Sequence, residues 1–299
     1  MSDLRLATRR SPLALAQAEI VRSKLRAVGV HCELVLIETS GDRQQQAPLS
    51  SLGGEGVFAV EIQRSLINGD ADVAVHSAKD LPSTTPDELE LACVPERADA
   101  ADALVGRSLA GLGPGATVAT GSPRRRALLL ERRPDLRVVE LRGNMATRLN
   151  VAGHDGVDAI VTACAALDRL DEGARVAERL DPTWFVPQVG QGALALEIRR
   201  DDRVARELVL ALNDDDAMTA LTTERAFLAE LGTGCSIPAG AHASVANGVI
   251  TLNAVMVAID GSRSIRSSHS GSEPRELGAQ SARYLRDDRG GSSLPGWTT

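Results

Sequence analysis

Ala7-Thr8-Arg9-Arg10-Ser11-Pro12 and Ala119-Thr120-Gly121-Ser122-Pro123-Arg124-Arg125 decide how this chain folds. Each segment follows a short apolar run and precedes a longer amphipathic one, which marks a passage from strand to helix. In each, Ser stands directly before Pro. Ser suits the N-cap, where its hydroxyl accepts from a backbone N–H, and Pro suits the first helical position, where an N–H is not needed. The echo predicts two similar α/β units. Backbone donors and the helix dipole at such starts attract anions, so two of them facing one cleft would suit a multiply charged acid.

Outward from the first junction, residues 4–8 read as a strand, 12–27 as a helix and 32–38 as a strand. A polar loop covers 41–56. Residues 59–68 then read as a helix, with 71–75 and 89–94 as strands. Around the second junction, 117–119, 138–141 and 157–163 read as strands, with helices over 123–133 and 144–151 and a short helix after 163. Such alternation implies mostly parallel sheet covered by helices. The last third changes character: a strand over 193–198, helix through most of 204–231, then strands over 241–246, 249–259 and 263–270. Turns at Asn247-Gly248 and Asp260-Gly261 join these strands, and a helix over 275–285 follows. The expected division is 1–95 with 193–213, then 96–192, then a small α+β domain over 214–299 whose Gly/Ser-rich tail is mobile from about 290.

Composition sets limits. Hydrophobic residues make up 43% of the 299 and charged residues 24%, ordinary for a soluble globular protein. With only six aromatic residues, the cores must be filled by Leu, Val, Ile and Ala. The start lacks a basic-then-apolar leader pattern, and no apolar run approaches a membrane span, so a cytoplasmic protein is expected. A net charge of −7 argues against nucleic acid or anionic membrane as partner. No two of the four cysteines have zinc-ligand spacing, so neither a metal nor a disulfide framework is expected. Cys32, Cys93 and Cys164 lie in apolar runs as small hydrophobes, whereas Cys235 sits in a glycine loop where a thiol is accessible to chemistry.

Of the 33 basic residues only Lys24 and Lys79 are lysines. Lys24 fits an exposed helix face. Lys79 belongs to Ser77-Ala78-Lys79-Asp80, after a buried strand and at the end where α/β ligands bind. Arg142 and Arg148 bracket a helix start, and arginine forks there suit a polycarboxylate. His76 has no second His or Cys at metal-ligand spacing, so a structural role is expected.

Six segments in order resemble the hydroxymethylbilane synthase family. They are 7–14, Ala74-Val75-His76-Ser77-Ala78-Lys79-Asp80-Leu81-Pro82, 120–125, Leu141-Arg142-Gly143-Asn144-Met145-Ala146-Thr147-Arg148-Leu149, Val189-Gly190-Gln191-Gly192-Ala193 and Gly232-Thr233-Gly234-Cys235. The resemblance runs from about residue 4 to residue 287. It implies two periplasmic-binding-protein-like α/β domains plus a small α+β C-terminal domain carrying the cofactor cysteine. It also implies condensation of four porphobilinogens, with ammonia lost each time, on a dipyrromethane covalently held by Cys235, and hydrolytic release of the linear tetrapyrrole. By resemblance Asp80 is the catalytic carboxylate. Ser77, Lys79, Asp80, Thr120, Ser122, Arg124, Arg125, Arg142 and Arg148 would hold the cofactor. Arg9, Ser11, Gln17, Arg142, Arg148, Arg169 and Gln191 would hold substrate. A monomer is expected.

The chain departs from the family pattern at Ser51 and Glu55, where lysines are common, and at Gly121 and Ala166. No site role is carried onto the 53–56 loop. A non-catalytic receptor for a polycarboxylate would share the α/β units and arginines but leaves Cys235 and the Lys79-Asp80 pair without a purpose. A Ser/Lys hydrolase built on Ser77 and Lys79 lacks an oxyanion motif.

Overall fold

Both Ser-Pro junctions behave as their sequence requires. Ser11 precedes helix α1 (Pro12–Ala27) with extended backbone, and its Oγ accepts from Ala14 N–H at 3.3 Å. A computed structural model describes residues 3–39, 59–232 and 237–297. In chain order its strands are β1 (Asp3–Arg9), β2 (His31–Ile37), β3 (Val73–Ser77), β4 (Leu89–Cys93), β5 (Asp102–Val105), β6 (Thr117–Ala119) and β7 (Arg137–Val139). They continue as β8 (Ala159–Ala163), β9 (Val176–Leu180), β10 (Leu194–Arg199), β11 (Ala239–Ala246), β12 (Val249–Val257) and β13 (Ser264–Gly271). After α1 come helices α2 (Val60–Ile67), α3 (Pro123–Arg132), α4 (Met145–Val151) and α5 (Cys164–Arg169). The last are α6 (Arg203–Leu210), α7 (Asp215–Leu231) and α8 (Pro274–Arg283). Ser122 caps α3 as Ser11 caps α1, its Oγ accepting from Arg125 N–H at 3.4 Å.

The chain divides into two compact units, Met1–Ala98 with Gly192–Met218 and Asp99–Gln191 with Thr219–Thr299. In the first, one five-stranded sheet runs in the order β2-β1-β3-β10-β4. In the second, a five-stranded sheet runs β7-β6-β8-β5-β9, and a three-stranded antiparallel sheet runs β11-β12-β13. The two larger sheets are topological copies. β1 and β6 hold the same place, each leading through a Ser-Pro cap into the next helix. Each copy also has one reversed strand, β10 or β5, antiparallel to both its neighbours. Four of the five strands in each sheet run the same way, as a mostly parallel sheet requires, and the reversed strand lies where the chain enters or re-enters the unit.

Periodicity explains the cores. In the first unit one sheet face packs Leu4, Leu6, Val73, Val75, Leu194 and Leu196 against α1 and α6. Ala7 and Ala74 on the other face meet Ile62 and Leu66 of α2. In the second unit Val255 and Val257 of β12 share a core with Leu128, Phe185 and Val161. Phe185 and Phe227 are fully buried, each contributing roughly 2–3 kcal/mol by leaving water.

Several bounds differ from the sequence reading, for physical reasons. β3 runs to Ser77 and not from 71, because the N–H groups of Asp70 and Ala71 turn back to Ser65 O while His76 and Ser77 pair with Ala195 and Leu194. Helix over 204–231 is interrupted between α6 and α7. There Asp214 N–H donates to Val94 O, and the Asp214 carboxylate caps α7 by accepting from Ala217 N–H. β5 and β9 were not anticipated as strands. In the tail, Trp297 Nε1–H donates to Val257 O at 2.8 Å, and Leu294 is buried.

Candidate active site

In the first unit the anticipated residues gather at strand ends and a helix start. Arg9 ends β1, Ser11 caps α1, and Gln17 is buried on α1. Ser77 ends β3, and Ala78–Asp80 form a single 3-10 turn. That turn is pinned: Ala78 N–H donates to Ala193 O at 3.0 Å, continuing the β3–β10 ladder by one rung. Lys79 and Asp80 leave it partly buried, at the carboxyl end of a strand buried from Val73 to His76.

In the second unit Arg124 and Arg125, at the first turn of α3, converge on one carboxylate. Asp102, at the start of β5, is fully buried. Its Oδ2 accepts from Arg124 Nη2 at 2.7 Å, and its Oδ1 accepts from Arg125 Nε and Gln191 Nε2, each at 2.9 Å. Burial would raise the Asp102 carboxyl, but Arg124 and Arg125 hold it down at about 2. The same burial lowers the Arg124 guanidinium, against the pull of Asp102. Val186 O and Val161 O accept further bonds from Arg124 and Arg125, and Gln191 Oε1 accepts from Arg125 Nη2. Thus Arg124, Arg125 and Gln191 form one buried network with a net positive charge. Sequence reading missed Asp102. Its signal was a lone carboxylate inside the apolar run 100–105, which requires a buried partner.

One donor of this network is unused. Arg124 Nε is buried with no hydrogen-bond partner. Arg124 lines a cavity of about 20 Å³ with Ser122, Gln188, Phe227, Ile237 and Ala239. That cavity admits one water-sized polar group. An orphaned, buried guanidinium donor fits a cofactor bearing carboxylates. Thr120 Oγ1, at the same junction, accepts from Ser122 N–H at 3.2 Å.

Arg142 and Arg148 flank a turn that requires glycine: Gly143 has φ +96°, which L side chains rarely adopt. Arg148 Nε donates to Gly143 O at 2.8 Å, while the Arg142 side chain is 43% exposed and 3.7 Å from Glu140. Arg169 ends α5, and burial pushes its guanidinium down to about 10, against Asp168. At Gly121 a Cβ would stand 2.7 Å from Leu141 O, so glycine allows β6 and the Arg142 turn to approach closely. Burial pushes the Cys93 and Cys164 thiols up to about 12, as befits inert core residues, and Cys32 is half-buried. Cys235, Ser51 and the Glu55 loop lie outside the described residues. Among the described residues no His/Cys/Asp/Glu group could hold a metal, and no helix is long and apolar enough to cross a membrane.

Fold and site together define an α/β protein that presents carboxylate, ammonium and guanidinium groups at strand ends, suited to an anionic ligand. Residues 4–207 match the family model described as porphobilinogen deaminase, dipyrromethane cofactor binding domain, and residues 218–287 match that of the porphobilinogen deaminase C-terminal domain. Among curated relatives, the porphobilinogen deaminase of Syntrophotalea carbinolica is 46% identical, over 89% of this chain and 86% of its own. That of Acidothermus cellulolyticus is 44% identical, over 95% and 89%. That of Rubrobacter xylanophilus is also 44% identical, over 98% and 96%. The chain belongs to the porphobilinogen deaminase family. Its fold is also similar to a periplasmic substrate-binding protein of an ABC transporter from Coxiella burnetii, 15% identical with a TM-score of 0.45, over 72% of this chain and 94% of that one.

Proposed function

We propose that the chain catalyses the deaminative head-to-tail condensation of four porphobilinogens and the hydrolytic release of the linear tetrapyrrole hydroxymethylbilane. It would act as a cytoplasmic monomer, with Asp80 as the catalytic carboxylate and Cys235 as the covalent anchor. The observation that carries this reading is the Lys79-Asp80 turn at the end of β3, in a chain matched by the family over 4–207 and 218–287. Bound dipyrromethane supplies a covalent primer for the growing chain.

The protein's own groups divide the remaining work. Porphobilinogen carries acetate and propionate, and guanidinium forks match carboxylates. Arg9, Arg142, Arg148 and Arg169, with Ser11, Gln17 and Gln191, bind these groups of the substrate. Ser77, Lys79, Thr120, Ser122, Arg124 and Arg125, again with Arg142 and Arg148, do the same for the cofactor. The substrate amine, protonated below pH ~10, leaves as ammonia. The pyrrole left behind is cationic, and a fixed carboxylate at Asp80 stabilises that charge and orients pyrrole N–H groups.

The test is direct. Purified protein incubated with porphobilinogen should release one ammonia per porphobilinogen consumed and yield a linear tetrapyrrole. Saturable binding of porphobilinogen with no ammonia released would instead indicate a receptor.

A further inference from the structure

Glu197 lies in the apolar run of β10 with its side chain fully buried. A carboxylate there is costly unless paired, and a well-packed apolar residue would stabilise the sheet at least as well. Its partners explain its presence. Gln63 Nε2 on α2 donates to both carboxylate oxygens, at 2.9 and 3.2 Å. His76 Nε2 on β3 lies 3.1 Å from Glu197 Oε2, also buried. In the antiparallel register Ala195 pairs with His76 and Glu197 with Ala74, so His76 and Glu197 are diagonal neighbours on the face covered by α2. His76 Nε2 makes no hydrogen bond of good geometry, so the two side chains meet as a close polar contact inside the sheet.

His76 is the penultimate residue of β3, and the 3-10 turn bearing Asp80 follows at once. We propose that Glu197, acting through His76, is a positioning residue that sets the angle at which the Asp80 turn leaves the sheet. The turn is then fixed from two sides, directly by the carbonyl of Ala193 just before β10 and through His76 by the side chain of Glu197 on β10. This rests on Asp80 being the catalytic carboxylate.

Glu197→Gln keeps the side chain's shape and removes its charge. In the cofactor-loaded enzyme it should lower kcat about tenfold, because misplacing a catalytic group by a fraction of an ångström costs that much, with KM for porphobilinogen changed less than about twofold. In an Asp80→Glu background the same change should cost nothing further, since its effect passes through Asp80. His76→Gln should show the same pattern if Glu197→Gln folds poorly. Unchanged kcat in both variants, or equal losses with and without Asp80→Glu, would overturn the proposal. An Asp80→Asn enzyme that retained turnover would overturn the Asp80 assignment and this inference with it. An inactive Asp80→Asn beside a fully active Glu197→Gln would overturn this inference alone.

Discussion

Asp80→Asn yields a protein that still takes up its cofactor yet turns over porphobilinogen roughly 10²–10³ times more slowly, the usual loss when one pre-organised electrostatic group is removed. The substitution preserves size, and the turn is held by backbone bonds from Ala78 to Ala193 O and from Leu81 to Ala78 O, neither of which uses the Asp80 side chain. Local structure should therefore survive. What is lost is the negative charge opposite the cation that forms as ammonia departs. Attachment of the cofactor is read by intact mass and turnover by ammonia release. A variant with wild-type rates would remove Asp80 from the chemistry.

Asp102→Asn acts on stability and on the arginines together. Breaking a buried ion pair by removing one partner costs about 3–5 kcal/mol, and here two guanidinium groups lose their counter-charge. The fall should appear in denaturant unfolding at neutral pH, with loss of cofactor uptake if Arg124 and Arg125 hold the cofactor. The acid limb supplies a second signature. The folded carboxyl titrates at about 2, below its ordinary value near ~3.9. Its stabilisation is complete above the ordinary value and is lost as pH falls through the folded one. The stability gap between wild type and variant should hold steady above about pH 5 and shrink between about pH 4 and 2, by roughly 2 kcal/mol. A gap that stays constant down to pH 2 would mean that Asp102 is not held ionised by the arginines.

Local chemistry was legible in the sequence, and long-range pairing was not. Ser11 and Ser122 cap the helices that their Ser-Pro spacing announces, because a cap is decided within four residues. The Lys79-Asp80 turn follows its strand as expected, since a polar break after an apolar run ends a strand wherever it sits. The partners of Asp102 lie 22, 23 and 89 residues away, and Gln63 is 134 from Glu197. No periodicity carries such information; the only trace is a charge embedded in an apolar run. The reversed direction of β5 and β10 hides for the same reason, as direction in a sheet is set by connection and not by composition. In the tail, the contacts of Leu294 and Trp297 are likewise long-range, and no local pattern announces them.

Attachment of a dipyrromethane to Cys235 is read from the intact mass of the purified protein beside its Cys235→Ala variant. The expected result is an excess of two linked pyrroles on the wild type and none on the variant, which should also lack turnover. A wild-type protein that stays at its bare polypeptide mass, even after incubation with porphobilinogen or preformed hydroxymethylbilane, would contradict this attachment.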